Sequence, residues 1–127
     1  MIVLDASAAI AALLNGGQAR RLASEQVVNA PHLVDAEVLS TLRRQTATGA
    51  LTPAQARQAI DVWARLGMNR YAAQPLLERV WELRDTVTAY DAMYVALAEA
   101  LECPLLTADA RLSRAPGIRC AVTVVPN

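Results

Sequence analysis

Four acidic residues stand beside apolar segments, where a charged side chain is unusual. Asp5 and Asp109 each come directly after a short apolar segment, and Glu37 and Asp91 lie on the apolar stripes of two predicted helices, near the helix starts. Two carboxylates about 4 Å apart repel by roughly 4 kcal/mol at an effective dielectric of 20. A cluster of these four acids would therefore take up protons or bind a cation.

A hard divalent cation is the species that such a set of side chains would bind. The chain has no lysine, and no arginine lies within two residues of Asp5, Glu37 or Asp91. Carboxylate ligands favour Mg²⁺ or Mn²⁺, which can activate water and stabilise a phosphoryl displacement. The acids thus predict metal-dependent phosphodiester hydrolysis. Asp5, Asp91 and Asp109 would hold the ion, and Glu37 would complete the cage or orient the water.

Two hydroxyl residues flank these acids. Ser7 follows Asp5 by two residues, and Thr107 precedes Asp109 by two. Each hydroxyl is predicted to hold a carboxylate or a metal-bound water in position. The alternative is that both are ordinary capping residues.

The basic residues are all arginines, and their number equals that of the acids, 12 and 12. If the four site acids bind the metal, 12 − 4 = 8 acids remain for 12 arginines. The rest of the chain then carries an excess of positive charge, which would favour a nucleic-acid substrate. The planar guanidinium binds two phosphate oxygens at once. Arg43 and Arg44 on the Glu37 helix, and Arg111 and Arg114 after Asp109, are candidates for nucleic-acid backbone contacts, the alternative being a solvated surface.

The other eight acids are interpreted as surface charges. Asp35 lies in the first turn of its predicted helix, where a negative charge is favourable. The remaining seven lie in polar stretches or on helix faces that also carry arginines: Glu25, Asp61, Glu78, Glu82, Asp85, Glu99 and Glu102.

Composition excludes several other classes of site. A chain of 127 residues, 54% hydrophobic, predicts one domain spanning residues 1–127. The single histidine, His32, excludes zinc sites built from several histidines, and the absence of lysine excludes Schiff-base and phosphate-loop enzymes. Cys103 and Cys120 are predicted to be buried thiols of a cytosolic protein. With neither a signal-peptide pattern nor an apolar stretch of roughly 20 residues, we expect a cytoplasmic protein without membrane segments.

Short apolar segments alternate with helical patterns along the chain, which predicts an α/β fold. The predicted strands are 2–4, 27–28, 69–73, 105–107 and 121–125, and the predicted helices are 7–14, 18–24, 33–48, 53–66, 75–84 and 89–102, with a helical turn at 110–113. This order implies a parallel sheet with helices on both faces. Because ligands bind at the carboxyl edge of such sheets, the four acids are expected to meet there.

Four segments in order also resemble one protein family. They are Ile-Val-Leu-Asp-Ala-Ser-Ala, Asp-Ala-Glu-Val-Leu-Ser-Thr-Leu-Arg-Arg, Thr-Ala-Tyr-Asp-Ala-Met-Tyr-Val-Ala-Leu-Ala-Glu and Leu-Leu-Thr-Ala-Asp-Ala-Arg-Leu. Together these segments resemble the PIN-domain ribonucleases and, more narrowly, the VapC toxins of bacterial toxin–antitoxin pairs. Segments 15–30 and 50–87 match no motif of the family.

The resemblance implies a three-layer α/β/α sandwich around a parallel sheet and Mg²⁺- or Mn²⁺-dependent endonucleolytic cleavage of RNA. It matches the family's acidic positions to Asp5, Glu37, Asp91 and Asp109, and its supporting hydroxyls to Ser7 and Thr107. It further implies a homodimer and a small antitoxin whose C-terminal segment lies over the acidic groove.

Three alternatives remain at this point. Phosphoacceptor domains and aspartate-nucleophile phosphatases typically need a lysine near the site, which this chain lacks. A non-catalytic binding module with the same fold would not require all four acids. An RNA-processing nuclease that is not a toxin would carry the same site.

Overall fold

A computed structural model describes residues 1–127. The strands are β1 (Ile2–Leu4), β2 (Val28–Pro31), β3 (Asn69–Tyr71), β4 (Leu105–Thr107) and β5 (Val122–Val124). The helices are α1 (Ala6–Leu14), α2 (Gly17–Glu25), α3 (Leu33–Ala47), α4 (Pro53–Arg65), α5 (Leu77–Glu82) and α6 (Ala89–Leu101), with 3-10 turns at Gln74–Leu76 and Ala110–Arg114. None of the helices combines the length and the apolar character needed to cross a bilayer.

The five strands form one parallel sheet in the order β3-β2-β1-β4-β5. β1 is central, and the chain order runs outward from it on both sides. The carboxyl end of β1 is therefore the switch point at which open α/β sheets bind ligands.

Helices cover both faces of this sheet. α6 packs against β1, β2 and β4, and α5 packs on α6. α1 packs against β4 and contacts the helices α2, α3 and α4. β1, β2 and β4 are buried along their whole length, as expected for parallel strands between two helical layers. The predicted three-layer α/β/α fold is confirmed. Of the two predicted buried thiols, Cys103 is buried and Cys120 is half-buried.

Local capping signals in the sequence place two helix starts. Thr52 Oγ1 accepts the Gln55 N–H (3.1 Å) and Gln55 Oε1 accepts the Thr52 N–H (2.9 Å), forming a capping box before α4. Thr88 Oγ1 accepts the Asp91 N–H (3.2 Å) at the start of α6. Both starts agree with the prediction because these signals lie within three residues of the helix they begin.

Three predicted elements are at least two residues shorter than expected. The strand predicted over residues 121–125 spans only Val122–Val124. The strand predicted over residues 69–73 ends at Tyr71, because β3 is an edge strand paired only with β2. The helix predicted over residues 75–84 is divided into a 3-10 turn, with Pro75 in its first positions, and the six-residue helix α5.

A buried asparagine joins three neighbouring strands. Asn29 in β2 is fully buried, and its Nδ2 donates to the Ile2 carbonyl in β1 (3.1 Å). Its Oδ1 accepts from Asn69 Nδ2 and from the Tyr71 hydroxyl in β3, each at 3.1 Å. The polar atoms of this core amide are thus satisfied, as buried polar groups must be.

Candidate functional site

Asp5 lies at the carboxyl end of β1 and caps α1. Its Oδ1 accepts the Ala8 N–H (2.9 Å) and the Ser7 hydroxyl (2.6 Å). The residue is only 5% exposed, and this burial raises the pKa of the Asp5 carboxyl above its usual range, although the hydrogen bonds from Ser7 and Ala8 and the polar Thr107 hydroxyl nearby oppose the shift. Asp91 adds to the rise through charge repulsion. Ionised Asp5 is therefore short of compensating positive charge.

Two hydroxyls form a short chain behind Asp5. Ser7 Oγ accepts the Ala108 N–H (2.8 Å) and lies 3.2 Å from Thr107 Oγ1. Because Ser7 uses its proton on Asp5, Thr107 is the donor in the contact between the two hydroxyls. Thr107 Oγ1 in turn accepts the Asp109 N–H (3.0 Å), so β4 and its following loop fix the orientation of the Asp5 carboxylate.

Asp91 lies in the first turn of α6. The side chain is half-buried, and burial raises the pKa of its carboxyl. Charge repulsion from Asp109 acts in the same direction, while Arg111 and the Thr88 hydrogen bond oppose it. The surroundings of both Asp5 and Asp91 therefore disfavour the ionised form of the carboxyl group.

Asp109 follows β4 and is held by an arginine. Arg111 donates from Nε to Oδ1 (3.0 Å) and from Nη2 to Oδ2 (2.9 Å), and its backbone N–H donates to Oδ1 (3.0 Å). These contacts lower the pKa of the Asp109 carboxyl. The Arg111 side chain is 85% exposed, so the guanidinium holds Asp109 from the solvent side.

Glu37 in α3 is bound by a tyrosine of α6. The Tyr94 hydroxyl donates to Glu37 Oε1 at 2.6 Å, and the Tyr94 residue is only 2% exposed. Burial, followed by the neighbouring Glu37 carboxylate, raises the pKa of the Tyr94 phenol above its usual range. Sequence analysis missed Tyr94, although its position three residues after Asp91 places both on one face of α6.

One pocket of about 420 Å³ contains all four predicted acids. They come from β1, α3, α6 and the end of β4, and share the pocket with Ser7, Tyr94 and Arg44. No three Asp, Glu, His or Cys side chains already converge as closely as the ligands of a bound metal do. Three of the acids, Asp5, Glu37 and Asp109, are instead held by hydrogen bonds from the protein.

The predicted arginines divide into two groups. Arg44 lines the acid pocket and donates weakly to Ser40 Oγ and Thr41 Oγ1. Arg111 lines an adjoining cleft that also contains Asp91 and Asp109. Arg43 and Arg114 are exposed and line neither space.

Two acids interpreted as surface charges make structural contacts, although Asp35 does lie in the first turn of α3 as predicted. The Glu99 side chain is only 12% exposed and accepts from Arg79 Nε (2.7 Å) and from the Arg119 N–H (2.8 Å), so its prediction as solvated was wrong. Asp35 accepts from Trp63 Nε1 (2.7 Å) and from Arg70 Nε (2.7 Å), which joins α3 to α4 and β3. Their partners are distant in sequence, so no local pattern indicated them.

Comparison with known proteins agrees with this architecture. The family described as PIN domain matches residues 2–118. Ribonuclease VapC9 of Mycobacterium tuberculosis is 54% identical over 126 residues, covering 99% of each chain, and Ribonuclease VapC1 of the same species is 48% identical over 128 residues, covering 97% of this chain and 96% of its own.

Solved structures also share this fold, and two of them align over nearly the whole chain. A toxin–antitoxin complex from Klebsiella pneumoniae aligns over 100% of both chains with a TM-score of 0.73 at 17% identity. VapBC2 from Rickettsia felis, bound to a promoter DNA fragment, aligns over 98% of this chain and 99% of its own with a TM-score of 0.69 at 17% identity. On the family match and the full-length similarity to its mycobacterial relatives, the chain belongs to the PIN-domain family and, within it, to the VapC ribonucleases.

Proposed function

We propose that the acid pocket hydrolyses RNA phosphodiester bonds with the help of a divalent cation, Mg²⁺ or Mn²⁺. The observation that carries this proposal is the meeting of Asp5, Glu37, Asp91 and Asp109 in one pocket, although they come from four separate segments. The full-length relatives named as ribonucleases support RNA as the substrate.

The donor set fits a hard divalent cation. Burial raises the pKa of Asp5 and of Asp91, and neither carboxylate is paired with an arginine. A bound divalent cation would stabilise the ionised form of both carboxylates, and oxygen ligands are those that Mg²⁺ and Mn²⁺ prefer. Asp5, Asp91 and Asp109 would hold the ion, which supplies Lewis-acid activation of water and of the scissile phosphate when bound.

The chain's own residues perform the positioning. Ser7 and Thr107 orient the Asp5 carboxylate through the hydroxyl chain described above. Glu37 has Oε1 bound to Tyr94, and its Oε2 makes no hydrogen bond within the chain. This second oxygen is available to accept a proton from the attacking water or to complete the cation site.

Arginines at the rim would contact the RNA backbone. Arg44 and Arg111 are closest to the acids, since they line the pocket and the adjoining cleft. Arg43 and Arg114 are exposed nearby in sequence and would extend the contact along the strand. A guanidinium binds phosphate through two parallel hydrogen bonds, which suits it to this role.

In the cell, we propose that the protein is the toxin of a toxin–antitoxin pair. Its full-length relatives are VapC proteins, and one solved structure with the same fold is a toxin–antitoxin complex. The proposed partners are RNA, a small cognate antitoxin and a second copy of the chain in a homodimer, and the proposed compartment is the cytoplasm, where RNA is available.

Cleavage of RNA by purified variants tests the activity. Asp5→Asn and Asp91→Asn each remove a charge from the pocket while retaining side-chain shape, and we expect loss of cleavage by a factor of about 100 or more. Asp61→Asn is the matched control, since the half-exposed Asp61 side chain on α4 pairs with Arg57 outside the acid pocket. Full cleavage by metal-free wild type in EDTA would contradict the proposal.

Expression in a bacterial host tests the toxin role. Wild type should arrest growth, Asp91→Asn should not, and co-expression of the proposed cognate antitoxin should restore growth. Unimpaired growth at a high level of active nuclease would instead favour an RNA-processing enzyme.

A further inference from the structure

One hydrogen bond fixes the position of Glu37. The Tyr94 hydroxyl donates to Glu37 Oε1 at 2.6 Å, a short bond of the kind made to an ionised acceptor. It connects α6, which carries Asp91, to α3, which carries Glu37. No other protein group donates to the Glu37 carboxylate, so this phenol alone selects one orientation of a side chain with three rotatable bonds.

The two oxygens of Glu37 are consequently different. Oε1 is occupied by Tyr94, and Oε2 remains free in a pocket that also contains Asp5, Asp91 and Asp109. A glutamate on the surface of a helix samples many rotamers, and a hydrogen bond from a fixed donor restricts them. The hydrogen bond from Tyr94 therefore orients the Glu37 carboxylate before a cation or substrate binds.

The Tyr94 ring is held independently of its hydroxyl. Tyr94 is buried with the core residues of α6 and lies one helical turn after Asp91, so packing fixes the ring. Its hydroxyl makes no hydrogen bond other than that to Glu37. Removing the hydroxyl alone should leave the fold intact and release only the carboxylate.

We propose that Tyr94 is a positioning residue that holds Glu37 in the orientation required for cation binding and for catalysis. This inference rests on the proposed function, because it assigns Glu37 a role in the metal-dependent cleavage of RNA. Tyr94 acts through Glu37 and need not touch the RNA.

Tyr94→Phe tests the proposal directly. We expect the dissociation constant for Mn²⁺, measured by electron paramagnetic resonance of the free ion, to rise about tenfold, the usual scale for losing a partner of a metal ligand. The turnover number for RNA cleavage should fall by about 10- to 100-fold with little change in KM. Thermal melting establishes that the variant is folded.

Tyr71→Phe is the matched control. It also removes one phenol hydroxyl with an internal partner, Asn29 Oδ1 at 3.1 Å, but that bond lies between β2 and β3, outside the acid pocket. We expect this variant to keep the wild-type affinity for Mn²⁺ and the wild-type turnover number. An equal loss in both variants would show a general packing effect and overturn the proposal.

A double-mutant cycle tests whether Tyr94 acts through Glu37. In a Glu37→Gln background, Tyr94→Phe should cause no further loss of Mn²⁺ affinity or turnover, because the group it positions is already changed. Independent, additive losses would overturn the assignment, as would Tyr94→Phe with the Mn²⁺ affinity of the wild type. A wild type that binds Mn²⁺ but leaves RNA intact would contradict the proposed nuclease while leaving the Mn²⁺ comparison decisive for Tyr94.

Discussion

The four acids of the pocket are chemically unequal, and their neighbours explain why. Arg111 lowers the pKa of Asp109, and Tyr94 holds one oxygen of Glu37. Asp5 and Asp91 lack a cationic partner, and burial raises the pKa of both. The unfavourable charge is thus concentrated on Asp5 and Asp91, and this cost in stability is one that the proposed cation would offset.

We predict that Asp5→Asn stabilises the metal-free protein at pH 7. The amide keeps the Oδ1 acceptor that caps α1 and removes a buried charge. The melting temperature in EDTA should rise by about 4 °C, corresponding to about 1 kcal/mol.

The pH dependence of this effect has a definite sign. The pKa of Asp5 is higher in the folded protein than in the unfolded chain, so the ionised form costs stability above the folded pKa. This cost disappears as the pH falls below the unfolded value of 3.8. The variant's advantage should therefore shrink on acidification, and an advantage that grew toward low pH would contradict the interpretation.

At the scale of elements, short-range signals were predictable and long-range partners were not. Thr52 with Gln55, and Thr88, indicated helix starts because a cap and its helix are adjacent in sequence. Asp5 and Asp109 likewise indicated the ends of two strands, because each lies close in sequence to its apolar segment. By contrast, the pairing of Glu99 with Arg79 and the contact of Tyr94 with Glu37 depend on which helices pack together, which periodicity does not specify.

We predict that Thr88→Ala weakens both the fold and cation binding. Loss of the cap at α6 should cost about 1 kcal/mol of unfolding free energy in urea titrations. It should also weaken Mn²⁺ binding, because the Thr88 hydroxyl accepts the backbone N–H of Asp91. Thr52→Ala removes the equivalent cap of α4, away from the pocket, and should lower stability to a similar extent with no change in Mn²⁺ affinity.

We predict that Arg79→Ala is among the more destabilising substitutions in the chain. Arg79 binds Glu99 in α6 and donates to the Gly117 carbonyl (2.7 Å), so one side chain joins α5, α6 and the loop before β5. Leaving Glu99 unpaired should cost about 3 kcal/mol in urea unfolding. Arg57→Ala, which breaks an exposed pair, should cost less than about 0.5 kcal/mol.

The Arg79 effect should also fade in acid. Burial opposes ionisation of Glu99, but the contacts from Arg79 and Arg119 outweigh it and lower the pKa of the Glu99 carboxyl. The stability that the pair contributes is therefore present above the unfolded value of 4.5 and is lost as the pH falls through the lower folded pKa. Equal destabilisation by Arg79→Ala at pH 7 and well below that folded pKa would argue against the ion pair as its cause.

At the scale of the whole molecule, the fold was predictable because every strand signal pointed to one parallel sheet. Alternating strands and helices limit the arrangement to a few topologies, and the carboxyl edge then collects the acids. The equal numbers of acidic and basic residues, 12 and 12, gave no indication that four of the acids lie in one pocket. The way in which Tyr94 and Arg111 hold two of the acids became visible only in the folded molecule.

We predict that divalent cations stabilise the whole protein. Binding to the folded state alone should add about 2.7 kcal/mol when free Mn²⁺ is about 100 times its dissociation constant. Differential scanning calorimetry should show a rise in Tm for wild type and for Asp61→Asn but none for Asp91→Asn. An unchanged wild-type Tm at millimolar Mn²⁺ would count against the cation site.

The parallel pairing of β1 with β4 has a consequence for the making of this protein. Asp5 follows β1, whereas Asp109 follows β4, a strand that pairs with β1 across about 100 residues of intervening chain. No nascent fragment that stops before β4 contains the complete set of acids. Ribosome-bound chains interrupted before that strand are therefore expected to leave the transcripts of the cell uncut.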